Sequence, residues 1–283
     1  MFSGKINPEF NMIDTWRLII SSPSRGAWNM AVDEALLLTA NSKPNMPTLR
    51  LYSWYPYALS LGHAQSFEDI DNRCIETRGW DVVRRPTGGR AILHADELTY
   101  ALIWNGEYQV LSGGVLESYR KISDGLIEGL RILGISAKST IKEIPAAEIN
   151  KEAVCFQHPS DYEITFNGKK IIGSAQARRN GNILQHGAIP LHGDITRIVD
   201  VLAYSSPDMR KKAKLHLSER AVTLSNAAAR RITWNLAANA FIAGFVNSFQ
   251  VTFLRSRLTQ EEISLAEQIF NEKHNSINWI KRL

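Results

Sequence analysis

Cys155, Lys170 and an arginine-bounded glycine pair, Gly88-Gly89, are the residues of this chain whose types and spacing can do chemistry. An ammonium beside a thiol lowers the thiol pKa from about 8.5 toward neutrality. The thiolate is the better nucleophile and the better leaving group, which is what a thioester relay uses. The run Arg84-Arg85-Pro86-Thr87-Gly88-Gly89-Arg90-Ala91-Ile92-Leu93-His94 lets backbone approach a ligand while charge stays close. Together these groups point to an enzyme that moves a carboxylic acyl group. Each also has a plainer reading. Cys155 fits a small buried hydrophobe, Lys170 a solvated edge lysine, Gly88-Gly89 a tight turn, and His94 a hydrogen-bonded structural histidine. His158-Pro159 tilt the first choice, because they mark an irregular loop, where reactive groups gather over a rigid sheet. Cys74, in Asn72-Arg73-Cys74-Ile75, reads as a structural residue of a short helix.

The elements that must position these groups are legible in part. Asn167-Gly168 and Asn180-Gly181 are strong hairpin turns and imply an antiparallel meander over 161–166, 169–179 and 182–191. Strict alternation puts Lys170, Ile172, Ser174 and Gln176 on one face of its middle strand, with Gln185 opposite Gln176. Ile171, Gly173, Ala175 and Ala177 take the other face, and His186 falls opposite Lys170 unless a bulge intervenes. The polar face reads as a pocket wall and the small-residue face as core. Residues 80–84 read as a strand leading straight into the glycine pair, and 48–54, 57–62 and 98–104 as further strands. The spacing predicts helices over 28–40, with Met30, Ala31, Ala35 and Leu38 inward and Asp33 and Glu34 solvated, and over 115–133, stopped by Gly134. A further helix fits 230–246, and Thr259-Gln260-Glu261-Glu262 is a capping box that opens a last one. Strands interleaved with helices plus a meander make the fold class α+β, a mixed α/β sheet flanked by helices.

The totals exclude several classes. A chain of 283 residues with 44% hydrophobic and 22% charged content buries a real core. No apolar run is long enough to span a bilayer, and the first residues lack a signal pattern, so the expectation is a cytoplasmic protein. Two cysteines without C-x-x-C spacing, and seven scattered histidines, give no metal or disulfide signal. The net charge of +5 favours acidic partners. Nothing alternates aromatic and basic residues as a base-stacking surface does, which counts against a nucleic-acid-binding module. The division expected is a loose tail over 1–14, a catalytic domain over 15–250 and a C-terminal helical extension over 251–283.

The Arg84–Arg90 run, Leu93-His94 and Glu97-Leu98-Thr99-Tyr100 resemble the biotin/lipoate protein ligase superfamily, most closely its octanoyltransferases of the lipoate-ligase-like LipM type. Asn29-Met30-Ala31-Val32-Asp33-Glu34-Ala35-Leu36, Val154-Cys155-Phe156, Lys170-Ile171-Ile172-Gly173-Ser174-Ala175-Gln176 and Gln185-His186-Gly187 support the likeness. Arg90 stands where lipoate ligases carry a third glycine. The resemblance implies transfer of octanoate from octanoyl-acyl carrier protein to a lysine of a lipoyl domain, with no ATP, cofactor or metal; a monomer is the default expectation. It casts Cys155 as the acyl-carrying nucleophile and Lys170 as the group that keeps it ionised. Arg85, Thr87, Gly88, Gly89, Arg90, His94 and His186 would bind substrate, with Gly173, Ser174 and Ala175 as the opposing wall. The rival readings are an ATP-dependent lipoate–protein ligase, which would not need Cys155, and an amidotransferase between lipoyl domains.

Overall fold

Two β-sheets clasp one helix, and that arrangement positions the site. The computed structural model describes residues 14–44, 46–141 and 162–283, so Cys155, with its neighbours His158 and Pro159, lies outside the described residues. The strands are β1 (Thr15–Ile20), β2 (Thr48–Tyr52), β3 (Ala58–Leu61), β4 (Asp81–Arg84), β5 (Ile92–His94), β6 (Glu97–Asn105), β7 (Lys138–Ile141), β8 (Tyr162–Phe166), β9 (Lys169–Arg179), β10 (Asn182–Pro190) and β11 (Thr252–Arg255). The larger sheet has the order β11-β1-β2-β6-β10-β9-β8-β7, and the smaller β4-β3-β5. Pairings β11–β1–β2 and β3–β4 are parallel, and the others are antiparallel. The fold is therefore the mixed α/β arrangement that the pattern predicts.

The meander forms for the local reason given above. Asn167, Gly168, Asn180 and Gly181 all take positive φ, at 48°, 77°, 50° and 79°, the backbone a two-residue hairpin turn of matching twist requires. Gln185 pairs with Gln176 as the ideal register predicts.

The helices are α1 (Gly26–Thr39), α2 (Asn72–Thr77), α3 (Val115–Ile132), α4 (Pro207–Arg220), α5 (Leu224–Ala227), α6 (Trp234–Phe249), α7 (Gln260–Ile269) and α8 (Ile277–Ile280). Among the described residues no helix is long and apolar enough to cross a membrane. Helices α3 and α6 cover one face of the large sheet, burying Leu126 and Phe241 against Tyr100, Leu102 and Ile172. Their contact is close because Gly125 and Gly129 face Phe245 and Phe241, leaving no room for a Cβ. The opposite face carries α1 with Met30, Ala31 and Leu37, together with Tyr52, Trp54, Leu184 and Ala266 of α7. The capping box of Thr259 and Glu262 opens α7 as read from sequence. Helix α6 begins at Trp234, four residues later than the apolar periodicity suggests, because Thr233 supplies its N-cap by accepting from the Leu236 N–H.

Asp33 and Glu34 correct the sequence reading. Neither is solvated, with exposures of 0% and 3%, while Leu38, expected inside, is 37% exposed. Glu34 accepts from Arg179 at 2.5 Å, Lys273 at 2.6 Å and His274 at 2.8 Å, tying α1 to β9 and to the turn after α7. Burial pushes its carboxyl up, but the bonds from His274 and Lys273 outweigh it and bring the pKa from 4.5 down to about 2. A depressed carboxyl stabilises the fold above its unfolded pKa, and that stability drains as pH falls through 4.5 toward about 2. Urea titrations at pH 5 and 2.5 should therefore differ by about 2–3 kcal/mol more in the native chain than in Glu34→Gln. Equal pH slopes for the two proteins would contradict this.

Candidate active site

A narrow cleft opens between α1, the small sheet and the α1-facing side of β9 and β10. Its walls are apolar, formed by Met30, Trp54, Ile92, Gly173, Ala175 and Ala188, with Arg85, His94 and His186 as polar groups. An apolar slot with a few converging polar groups is the form expected of a small-molecule site. The lining is apolar in chemistry, as an alkyl group requires.

The wall is the opposite face of β9 from the one that alternation suggests. Gly173 and Ala175 pair with Ala188 and His186 on the cleft side. Ser174 turns away, and its Oγ meets the Tyr100 hydroxyl at 2.7 Å under α3 and α6. Gln176 likewise donates to Ser118 of α3 at 3.0 Å. Lys170 is the exception to strict alternation. Ile164 pairs with Ile172 but the next residue, Thr165, pairs with Lys170, so Ile171 is an extra residue in a bulge. Ile171 and Ile172 both enter the α3–α6 core. Lys170 is thereby carried to the α1 side, the face of Gly173, Ala175 and His186. There its Nζ lies 3.1 Å from Glu163, and the side chains of both are nearly enclosed. Lys170 is neither a solvated edge lysine nor on the face of Ser174.

Two buried acids hold the rest of the site through histidines. Asp33 Oδ2 meets His186 Nδ1 at 3.1 Å, and His186 Nε2 meets the Thr87 hydroxyl at 2.7 Å. Asp33 also accepts from Arg50 at 2.6 Å and Tyr52 at 2.7 Å. Burial pushes the Asp33 carboxyl up, yet Arg50, His186 and Tyr52 together keep it below its ordinary range. It is an ionised acceptor. Burial holds His186 below its usual pKa, a fall that Asp33 only partly offsets. A neutral ring facing a carboxylate carries its proton on Nδ1, so Nε2 accepts from Thr87. In the second relay His94 joins Glu97 at 2.7 Å and Ser60 at 2.7 Å, stacked at 3.9 Å on Trp54. Arg85 then donates to the Ser60 carbonyl at 3.0 Å.

Both relays end on the loop that follows β4. Arg85 donates to the carbonyls of Gly88 at 2.8 Å and Arg90 at 2.7 Å, fixing the turn from inside. A Cβ on Gly62 would lie 1.8 Å from the Gly89 carbonyl oxygen, so the loop packs against a residue that must be glycine. Gly88 and Gly89 themselves are exposed and Arg90 half-buried, and they border the site without lining its apolar slot. The structure thus brings Arg85, Thr87, His94, Lys170, Gly173, Ala175 and His186 to one side of the sheet. Ser174 is excluded. Asp33, Glu97 and Thr99, which the sequence offers only inside the motifs that carry the resemblance, join the site, as do Trp54 and Glu163, which it does not mark. Asp33 carried a usable signal, standing three residues after Met30 and four before Leu37 on a stripe that is otherwise buried.

The lipoyl protein ligase A/B catalytic domain family matches residues 25–246, the span that builds both relays. The chain belongs to that family. Within this lipoyl ligase family the similarity is to the octanoyltransferases. A LipM octanoyltransferase of Carboxydothermus hydrogenoformans is 41% identical over 273 residues, covering 95% of this chain and 100% of the relative. Another, from Anoxybacillus flavithermus, is 37% identical over 94% of this chain and 98% of its own length. Among solved structures, the bipartite lipoate protein ligase of Thermoplasma acidophilum superposes with a TM-score of 0.78 at 25% identity, covering 95% of this chain and 97% of that one. The chain is an acyltransferase of the LipM type, working in octanoyl transfer for lipoate biosynthesis.

Proposed function

We propose that the chain takes octanoate from octanoyl-acyl carrier protein onto Cys155 and passes it to a lysine of a lipoyl domain, without ATP. The observation that carries this reading is Lys170, turned by the β9 bulge onto the face that lines the apolar cleft and held there by Glu163. In the first step the Cys155 thiolate attacks the donor thioester, the new C–S bond forms, and the carrier thiol leaves with a proton. In the second the acceptor amine attacks, loses a proton and expels Cys155 as thiolate, leaving an amide. Lys170 keeps the thiol ionised, and its ammonium offsets the charge that the departing sulfur regains. The glycine loop, locked by Arg85 and by Thr87 on His186, borders the reacting carbonyl, and its backbone N–H groups supply the donors for the tetrahedral oxyanion.

Incubation with octanoyl-acyl carrier protein and no ATP should add one octanoyl mass, removable by hydroxylamine and absent in Cys155→Ala. A labile adduct that persists in Cys155→Ala sinks the thioester reading. Modification of a lipoyl domain only when ATP and free octanoate are supplied would return the chain to the ligases.

A further inference from the structure

Three cations gather at the far end of the cleft-facing side of β9, well away from Lys170. Arg179 lies four residues beyond Ala175 on the same face, its guanidinium 2.5 Å from Glu34 and its side chain 36% exposed. Lys273 reaches both oxygens of Glu34, at 2.6 and 2.7 Å, and sits 4.2 Å from the centre of the Trp279 ring. Arg282 is exposed, lies 4.0 Å from that same ring and donates to the His63 carbonyl at 2.6 Å. Arg84 lies beneath, its donors spent on the carbonyls of Gly62, Gln65 and Ile280. Glu34 is the one carboxylate ion-paired with Arg179 and Lys273 among the described residues. The Nδ1 of His63, whose ring meets Trp279 at 5.9 Å, is buried without a partner among those residues. Burial, and then the charge of Arg179, holds Arg282 below its ordinary pKa, as expected where like charges crowd. One carboxylate does not balance this group, and an anion bound between Arg179 and Arg282 would.

We propose that Arg179, Lys273 and Arg282 form a phosphate site that takes the phosphodiester of a 4′-phosphopantetheine arm while its thioester lies at the acyl cleft. The proposal rests on the carrier-protein donor of the preceding section. Length supports it. Four residues of strand from Ala175 to Arg179 span about 13 Å. The arm from phosphorus to sulfur is a chain of roughly 13 bonds, about 15 Å when extended at three bonds per residue length. A thioester near Ala175 and His186 therefore places its phosphate at Arg179 with the arm laid along the strand. The basic rim also gives the chain's positive charge a place to act on an acidic carrier.

The test compares octanoyl-4′-phosphopantetheine with octanoyl-pantetheine as donors, reading kcat/KM for thiol release. Charge-assisted bonds to phosphate are each worth about tenfold or more, so the native chain should prefer the phosphorylated donor by at least about that factor. Arg179→Gln with Arg282→Gln should shrink the preference to below about twofold. Arg282→Gln alone, at an exposed position that does not threaten folding, should remove a clear part of it. A preference absent from the native chain, or unchanged in the double variant, overturns the phosphate site and leaves the transferase reading intact. No release from either donor, and none from octanoyl-acyl carrier protein, sinks the donor reading and this inference with it.

Discussion

Replacing Lys170 with methionine is expected to slow acylation of Cys155 about 30-fold at pH 7, with most of the loss recovered at pH 9.5. A thiol that titrates near 8.5 is only about 3% ionised at pH 7, so ionisation can add no more than about 30-fold. At pH 9.5 the thiol is ionised with or without an ammonium beside it, and the variant should then approach the native rate. Proton donation to the departing thiolate is a separate contribution, typically of 10²–10⁴, and raising the pH would not rescue it. The size of the unrecovered loss thus divides the two roles of Lys170. Quenched intact-mass kinetics across the pH range, beside carrier-protein affinity, make the measurement. Methionine retains the apolar stem, so affinity should change by less than about threefold. Equal losses in affinity and rate, with no recovery at high pH, would mean that Lys170 only supports the wall.

What the sequence discloses here depends on how local each signal is. The hairpins at Asn167-Gly168 and Asn180-Gly181 were legible because the turn chemistry lies in the two residues themselves. The α7 capping box was legible for the same reason. The bulge at Ile171 was not. Nothing in Lys169 to Gly173 marks an extra residue, which exists because Ile171 and Ile172 both gain burial under α3 and α6. One residue of slip moves a side chain to the other face, so the bulge alone decides that Lys170 and Gly173, rather than Lys170 and Ser174, share a surface. Asp33 and Glu34 were misread because acids on a helix are usually solvated. Their burial depends on Arg50, Arg179, Lys273 and His274, which lie 17 to 240 residues away in the chain. The parallel pairing of β1 with β11 joins residues 237 positions apart, Thr15 with Thr252, and likewise leaves no local trace.

Asp33 carries the other large expectation, because one carboxylate serves stability and site geometry together. In Asp33→Ala the Arg50 guanidinium, 1% exposed, would keep its bonds to Asn29 but lose its ionic partner. Removing one member of a buried pair costs about 3–5 kcal/mol, a large part of a typical total of about 5–15. Urea unfolding at pH 7 should show that loss. Asp33→Leu combined with Arg50→Met removes both charges, and should regain most of it, since an apolar pair of similar volume is often neutral or better. Activity should not follow. Without Asp33, His186 loses the acceptor that keeps its proton on Nδ1, and Thr87 loses the fixed acceptor that seats the glycine loop. Acylation should then stay slow in the stable double variant, by about 10-fold or more if one charge-assisted bond is lost, and the ring ¹⁵N shifts of His186 should show both tautomers. A double variant that recovers stability and rate alike would assign Asp33 to the core alone. A loss below about 1 kcal/mol in Asp33→Ala would show that Arg50 finds adequate partners in Asn29 and Ser21, and that the acid is kept for His186.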